Sequence, residues 1–378
     1  MPLFLLLILL LLSGSCNVTA QPLRIGLWGA SHATLTSQLL LEPFSAKTGL
    51  GAIGLVSPAG NELSVLQSNT DVVQMELHAS IDACDRGEIR ILPLHQLVSE
   101  SGRALVQDYV PNTLQPCSIG QYMWSSLPVF KKQNDHSGAH PALISDFFNV
   151  VDFPGKRAMV KSPRNLAEWA LASSGVAYDS IYEALGSENA WPLIRSRLAD
   201  IEHDIVWVQD DAEALALVET GKVTFAIVHS HSALRKVAEN QAKLGFLWDG
   251  AITNINVLAI PSSSTRFSDA WKYLQFATST EIAGNVASGY GYGVTRYSAM
   301  TAFSPKYRSM LPTSEKNRQN IIWGNSTWWR DSGDKINRLF VDWLVKKSPQ
   351  PPFLVVSEWH SAQRDPVMDS IHPELGTN

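Results

Sequence analysis

The sequence predicts an α/β fold of two lobes, and three observations carry that expectation. Strand-like and helix-like runs alternate along the chain, beginning with LRIGLW at Leu23 to Trp28 and an amphipathic stretch through Leu35, Leu39, Leu40 and Phe44; repeated strand then helix is how a covered sheet is written. At 378 residues the chain has room for two lobes and a sizeable core. Third, WDGAITNINVLAIP, Trp248 to Pro261, reads as a strand that changes character half-way. Ile252, Asn254, Asn256, Leu258 and Ile260 share one face, and Thr253, Ile255, Val257 and Ala259 the other. Its second half is apolar on both faces, as inside a covered sheet; its first half puts two amides on one face, where buried polar groups need partners. The stretch is therefore read as a crossing between lobes, with Asn254 and Asn256 facing a gap.

Composition is that of an ordinary globular protein, with 17% charged and 45% apolar residues. A net charge of −5 gives no electrostatic reason to expect nucleic acid. Leu3 to Leu12 is an apolar run too short to span a bilayer and of the right length for the core of a signal peptide. Val18-Thr19-Ala20 offers small residues for cleavage, so 1–20 is read as a leader and Gln21 as the mature start. The run lacks a preceding Lys or Arg. Cys16, after Ser13-Gly14-Ser15, offers lipid anchoring as the alternative, although Ser13 stands where Leu is preferred.

Taken in order, the first strand leads into a polar loop, Gly29 to His32, and a helix that stops at Gly49 with Lys47 in its last turn. Asp71 to Glu76 is a second strand, feeding a helix that carries Cys84 and stops at Gly87. Ligands of such sheets sit beyond the carboxyl ends of the strands, which draws attention to Trp28 and Glu76. Lys131 to His140 reads as a surface connection. Ala158 to Val160 is a short strand, and Ser162-Pro163 reads as an N-cap with proline at the first helical position. Arg164 and the free N–H groups there would suit a carboxylate or phosphate, or Arg164 is a solvated charge. Ile205 to Val208 is a strand, Asp211 to Thr220 a helix, and Val223 to Val228 a strand ending in His229-Ser230-His231. Two imidazoles on one strand face can bind a metal, but no third ligand is evident, and a hydrogen-bonding histidine in a cleft is the simpler reading. Helices follow at Ser268 to Thr278 and Glu281 to Ser288. Gly289-Tyr290-Gly291-Tyr292-Gly293 follows a helix rather than a strand and so is not a dinucleotide loop; Tyr292 is read as a cleft aromatic. The last helix, about Asp334 to Lys347, carries Ile336, Leu339, Phe340, Trp343 and Leu344 on one stripe, and 348–378 is a tail.

With the leader removed, Cys84 and Cys117 remain. Export favours pairing them; the alternative is a catalytic thiol with His78 or His95 as base. No G-x-S-x-G, H-E-x-x-H, P-loop or C-x-x-C is present.

Five stretches in the same order resemble the periplasmic solute-binding proteins of ABC transporters, in the spermidine/putrescine-type (polyamine) group. They are DVVQMELHASIDACDRG, PCSIGQYMWSS, FFNVVDFPGKRAMVKSPRNLAEWAL, WDGAITNINVLAIP and LPTSEKNRQNIIWGNSTWWRDSGDKINRLFVDWL. The resemblance covers roughly Leu23 to Leu344. It implies a type II-like periplasmic-binding fold, two α/β lobes joined by a hinge, closing as a clamp on a solute. The first lobe would be 21–128 plus 256–297 and the second 129–255 plus 298–347. It also implies a Cys84–Cys117 disulfide, no cofactor, no catalysis and no nucleic acid. The protein would be a periplasmic monomer that docks on an inner-membrane ABC permease.

Carried over residue by residue, Trp28, Ser31, Glu76, Trp124, Ser125, Arg164, His229, Asn254, Asn256 and Tyr292 stand at cleft positions. Relatives of this group place acids where Asn256 stands, acids or aromatics where Asn254 stands, and in some cases acids around Ser162 and Asn165. With fewer carboxylates, a singly charged or zwitterionic amine or a neutral polar solute fits better than spermidine, since each buried ammonium needs a charge-assisted partner. A sensory binding module of the same fold, or an exported enzyme on this scaffold using Cys84 or Cys117, are the competing functions.

Overall fold

The computed structural model describes residues 21–27, 34–56, 69–97, 99, 104–132, 140–240 and 243–347. Residues 1–20, expected to form a leader, residues 348–378, the loop from Gly29 and most of the connection after Lys131 lie outside the described residues.

Leu23–Leu27 is β1. A π-turn, Ser37–Leu41, runs into helix α1, Glu42–Thr48, which ends at Gly49 with a φ of 73°, a conformation that suits a residue without Cβ. Its buried Leu40, Leu41 and Phe44 face the sheet. β2 (Ala52–Val56) and β3 (Val72–Glu76) flank β1, all parallel. Helix α2 (Leu77–Asp85) starts directly after β3, so Glu76 is at once the end of a strand and the N-cap of a helix. A short β4 (Leu114–Gln115) precedes β5 (Ser118–Lys131), the longest described strand.

The second group comprises β6 (Arg157–Val160), helices α3 (Leu166–Ser173), α4 (Ile181–Gly186) and α5 (Ala190–Ile201), and β7 (Ile205–Val208). It continues with α6 (Asp211–Glu219), β8 (Phe225–His229), α7 (Ser230–Asn240) and β9 (Leu244–Phe246). Then come β10 (Ala251–Ala259), α8 (Phe267–Ala277), α9 (Thr280–Tyr290), β11 (Gly293–Val294), β12 (Ile321–Trp323), α10 (Ser326–Ser332) and α11 (Asp334–Lys347).

The strands join in the order β2-β1-β3-β10-β5-β8-β6-β7, with β4, β9 and β11 on β5 and β12 on β10. Each end of this order is parallel, and the middle is antiparallel: β10 pairs with β3 and β5, and β5 with β8. Thus β5 and β10 are the two strands that run from one parallel sheet into the other. β10 passes between cores as it goes. Ile252 packs with Phe147, Trp169, Trp329 and Phe340, whereas Ile255, Val257 and Ala259 pack with Met75 and Met123, and Leu258 and Ile260 with Phe44 and Tyr273. All nine of its residues are buried, and the alternation read from the sequence holds through a bulge, where Gln121 of β5 is left over between the Asn256–Tyr122 and Val257–Gly120 pairs.

Two local expectations need correcting. Ser162 does not cap a helix: its hydroxyl accepts from the Arg164 N–H two residues on (3.1 Å), which makes a tight turn, and α3 begins only after Asn165, held at a φ of 69°. The strand before His229-Ser230-His231 does not persist either. It stops at His229, because Ser230 opens α7 and its hydroxyl is engaged by the Ser125 N–H (3.0 Å).

Candidate functional site

On one face of the crossing strands, β3, β10 and β5 set Glu76, Asn256 and Tyr122 side by side, with Asn254 and Trp124 as the next pair. Glu76, Asn254 and Asn256 are only 7%, 8% and 4% exposed, so their polar atoms need partners. Asn256 has one: its Oδ1 accepts from the Trp124 indole Nε1 at 2.8 Å. The bulge sits at this row, and it aims Tyr122 at Tyr292; the two rings stack at 4.2 Å with planes 5° apart. Tyr290 and His231 lie against Tyr292, at 5.3 and 4.7 Å between ring centres, and His229 lies 5.3 Å from Trp124. The two rings end 5.4 Å apart although His229 closes a strand and His231 lies in the first turn of a helix.

His229 is fixed from behind. Asp211, at the start of α6, accepts from its N–H (3.1 Å) and is bonded to its Nδ1 (2.9 Å). Burial alone would raise the Asp211 carboxyl, but the charge and hydrogen bonds of His229 and the Ser232 hydroxyl outweigh it and hold it down at about 2. Nε2 is therefore the ring nitrogen directed away from this carboxylate. Among the described residues no group of three His, Cys, Asp or Glu is placed to hold a metal ion.

The opposite wall comes from the turn before α3 and the start of α10. Burial raises the Glu76 carboxyl, while Ser326 at the start of α10 and the Arg164 guanidinium pull it back down. Arg164 itself is exposed and lies over the Trp329 ring, 5.6 Å from its centre. A small hollow between the walls is lined by Glu76, His78, Asn254, Trp323 and Gly324, about 210 Å³ including its open mouth. Gly324 sits hard against Asn254: a Cβ there would collide with the Asn254 amide unless that side chain shifted.

Of the residues read from the sequence, Glu76, Trp124, Arg164, His229, Asn254, Asn256 and Tyr292 converge here. Ser125 does not. It is fully buried on the other face of β5, its hydroxyl bonded to Thr253 (2.8 Å). Trp28 and Ser31 lie outside the described residues. Cys84 and Cys117 form a disulfide, with Cα atoms 5.8 Å apart, which removes the catalytic thiol. Three participants went unread: Tyr122, Tyr182 and Glu168. Tyr122 was accessible, since period two from Trp124 puts it on the same face. Glu168 is an acid in the apolar run LAEWAL, a weaker signal. It is 1% exposed, and its Oε1 accepts from the Trp329 indole (2.6 Å) and the Tyr182 hydroxyl (3.3 Å). Burial drives this carboxyl up to about 7, hydrogen bonds and the Arg164 charge offsetting only part of the rise.

A family of bacterial extracellular solute-binding proteins matches residues 116–311. The chain belongs to that family. It is 20% identical over 339 residues to the γ-aminobutyric acid (GABA)-binding protein of Pseudomonas aeruginosa, covering 88% of this chain and 94% of that one. The solved structure of a GABA receptor superposes with a TM-score of 0.68 at 21% identity, over 88% of this chain and 100% of the other. The spermidine/putrescine-binding PotD of Streptococcus pneumoniae, crystallised with calcium and HEPES, gives 0.67 at 13% identity, over 87% of this chain and 100% of the other. The fold is that of type II periplasmic binding proteins, two lobes about a cleft. Members of the family act as substrate-binding components of ABC importers rather than enzymes, so this protein works outside the cytoplasm on a small-molecule solute. No helix among the described residues is long and apolar enough to cross a membrane.

Proposed function

We propose that the protein captures a small amine, in particular a short zwitterion such as an ω-amino acid, between its lobes and delivers it to an inner-membrane permease as a monomer. The observation that carries this reading is the row Glu76–Asn256–Tyr122 with Trp124 beside it: one buried carboxylate among aromatic faces, with amides where a polyamine would need further acids. Arg164, facing Glu76 from the second lobe, supplies a cation for the solute's own carboxylate. The two GABA-binding relatives support the same solute class. Trp28, Ser31, His229, Asn254 and Tyr292 complete the proposed ligand set. The lobes are taken as 21–128 with 256–297 and 129–255 with 298–347, hinged on β5 and β10; the stretch after Tyr297 rides on α9 through Ala299 and Phe303. Residues 1–20 are taken as an export leader cleaved after Ala20.

Calorimetry with GABA, putrescine, spermidine, glycine betaine and acetate tests the reading. GABA is expected to bind more tightly than the polyamines. Glu76→Gln is expected to weaken it at least tenfold, since losing one charge-assisted contact costs roughly 1.5–3 kcal/mol. Undiminished GABA binding by Glu76→Gln would place the acid outside the site.

A further inference from the structure

We propose that Glu168 is a positioning residue for solute binding, acting through Trp329 on Arg164 and through Tyr182 on the Gly324–Ser326 loop. The proposal rests on the cleft being the solute site. Glu168 touches no part of the cleft itself; it lies one layer behind, where α3, α4 and α10 meet. From Oε1 two chains of contact lead forward. One goes to the Trp329 indole (2.6 Å), whose ring carries the Arg164 guanidinium at 5.6 Å. The other goes to the Tyr182 hydroxyl (3.3 Å), which accepts the Asn325 N–H (3.0 Å) and so pins the loop whose Gly324 abuts Asn254. Asn325 in turn caps α10 through its Oδ1, which accepts the Trp328 N–H (2.9 Å). One carboxyl thus sets the place of a cleft cation and of a cleft wall.

A neutral acceptor would satisfy the same two donors, so hydrogen bonding alone does not call for an acid here. What the acid adds is a charge that comes and goes. Its Oε2 is buried with no hydrogen-bond partner, and burial lifts the group to about 7, so a proton is held or lost near neutrality. The charged and titratable groups that bear on it are Arg164, just ahead of its own helix, and Tyr182 from α4. Glu76, across the cleft, bears on the same Arg164 and Tyr182. The two acids therefore share one guanidinium. With Glu168 ionised, Arg164 is held over Trp329 rather than drawn to Glu76. With Glu168 protonated, the indole bond loses its charge assistance and Arg164 turns to Glu76, competing with the amine.

The test uses the full mature chain, ¹⁵N-labelled, first without ligand. The Trp329 indole resonance, assigned with Trp329→Phe, is expected to titrate with a midpoint near neutrality, and the Asn325 amide with the same midpoint. In Glu168→Gln neither titrates. In Tyr182→Phe, which keeps the carboxyl, the indole still titrates and the Asn325 amide does not. Calorimetry with GABA at about pH 6 and about pH 8 is expected to give binding at least about threefold tighter at the higher pH, a difference lost in Glu168→Gln and retained in Glu168→Asp. An indole that does not titrate, or a Glu168→Gln protein with the wild-type pH dependence, overturns the proposal. Absence of GABA binding in the wild type would overturn the solute reading instead, while the resonances still decide whether Glu168 governs Trp329 and Asn325.

Discussion

Asp211 braces His229 through both its N–H and its ring, and that dependence can be measured. Asp211 is held at about 2, against 3.8 for an unperturbed aspartate, so it binds protons less readily folded than unfolded. Its contribution is fully present above the unfolded value and disappears as pH falls through the folded one. Asp211→Asn is therefore expected to lower stability by on the order of 2 kcal/mol at neutral pH, with the deficit shrinking to nothing toward about pH 2. Urea denaturation of both proteins across that range gives the answer, and a deficit that persists in acid would show the pairing with His229 is not its source. Glu168 behaves with the opposite sign. Its folded value of about 7 exceeds the ordinary 4.5 for a carboxyl, so the folded state binds its proton more readily, and its ionisation subtracts stability as pH climbs through that interval.

At the scale of elements, the disulfide fastens α2, the helix that starts directly after Glu76, to the start of β5. Cys84 and Cys117 are separated by 33 residues, and closing a loop of that size stabilises by roughly 3–4 kcal/mol on the chain-entropy account. Reduction, or the double change of Cys84 and Cys117 to Ala, is expected to lower the unfolding free energy by about that amount in denaturant titrations. An unchanged midpoint would mean that packing of α2 against Ile255 and Val257 already holds the element. A second fastening lies farther along: Asp108, fully buried, accepts from Arg296 (2.8 Å) and from the Ser298 N–H (2.9 Å), tying 105–110 to the chain just after β11. Buried charges of this kind persist only when paired.

For the whole molecule, the two-lobed fold has a core on either side of β5 and β10, around Phe44 and Tyr273 and around Phe147 and Phe340, with a smaller cluster of Leu234, Ala283, Ala287 and Phe303 beside the crossing. Ligand-driven closure shifts a population between open and closed forms. Small-angle scattering is expected to show a smaller radius of gyration with saturating GABA than without it. An identical profile, in the presence of calorimetric binding, would mean the lobes do not move on capture.

What could be read from residue order alone follows from local rules. Alternation made the two halves of Trp248 to Pro261 legible, and the apolar stripe placed the last helix at about Asp334 to Lys347, where it lies, because periodicity is a property of neighbours in the chain. The strand-end rule picked out Glu76, and it lies at the end of β3. Ser162 was misplaced because its hydroxyl closes a tight turn on Arg164 instead of a helix end, and His231 because Ser230, engaged by Ser125 of β5, opens a helix where the strand was expected to continue. Ser125 and Ser230 meet across 105 residues of chain, and Arg164, Trp329, Tyr182 and Glu168 come together from three separate helices and the turn before one of them. Tertiary structure alone decided those meetings, since burial and charge depend on what folds over a side chain, and no window of sequence holds both partners.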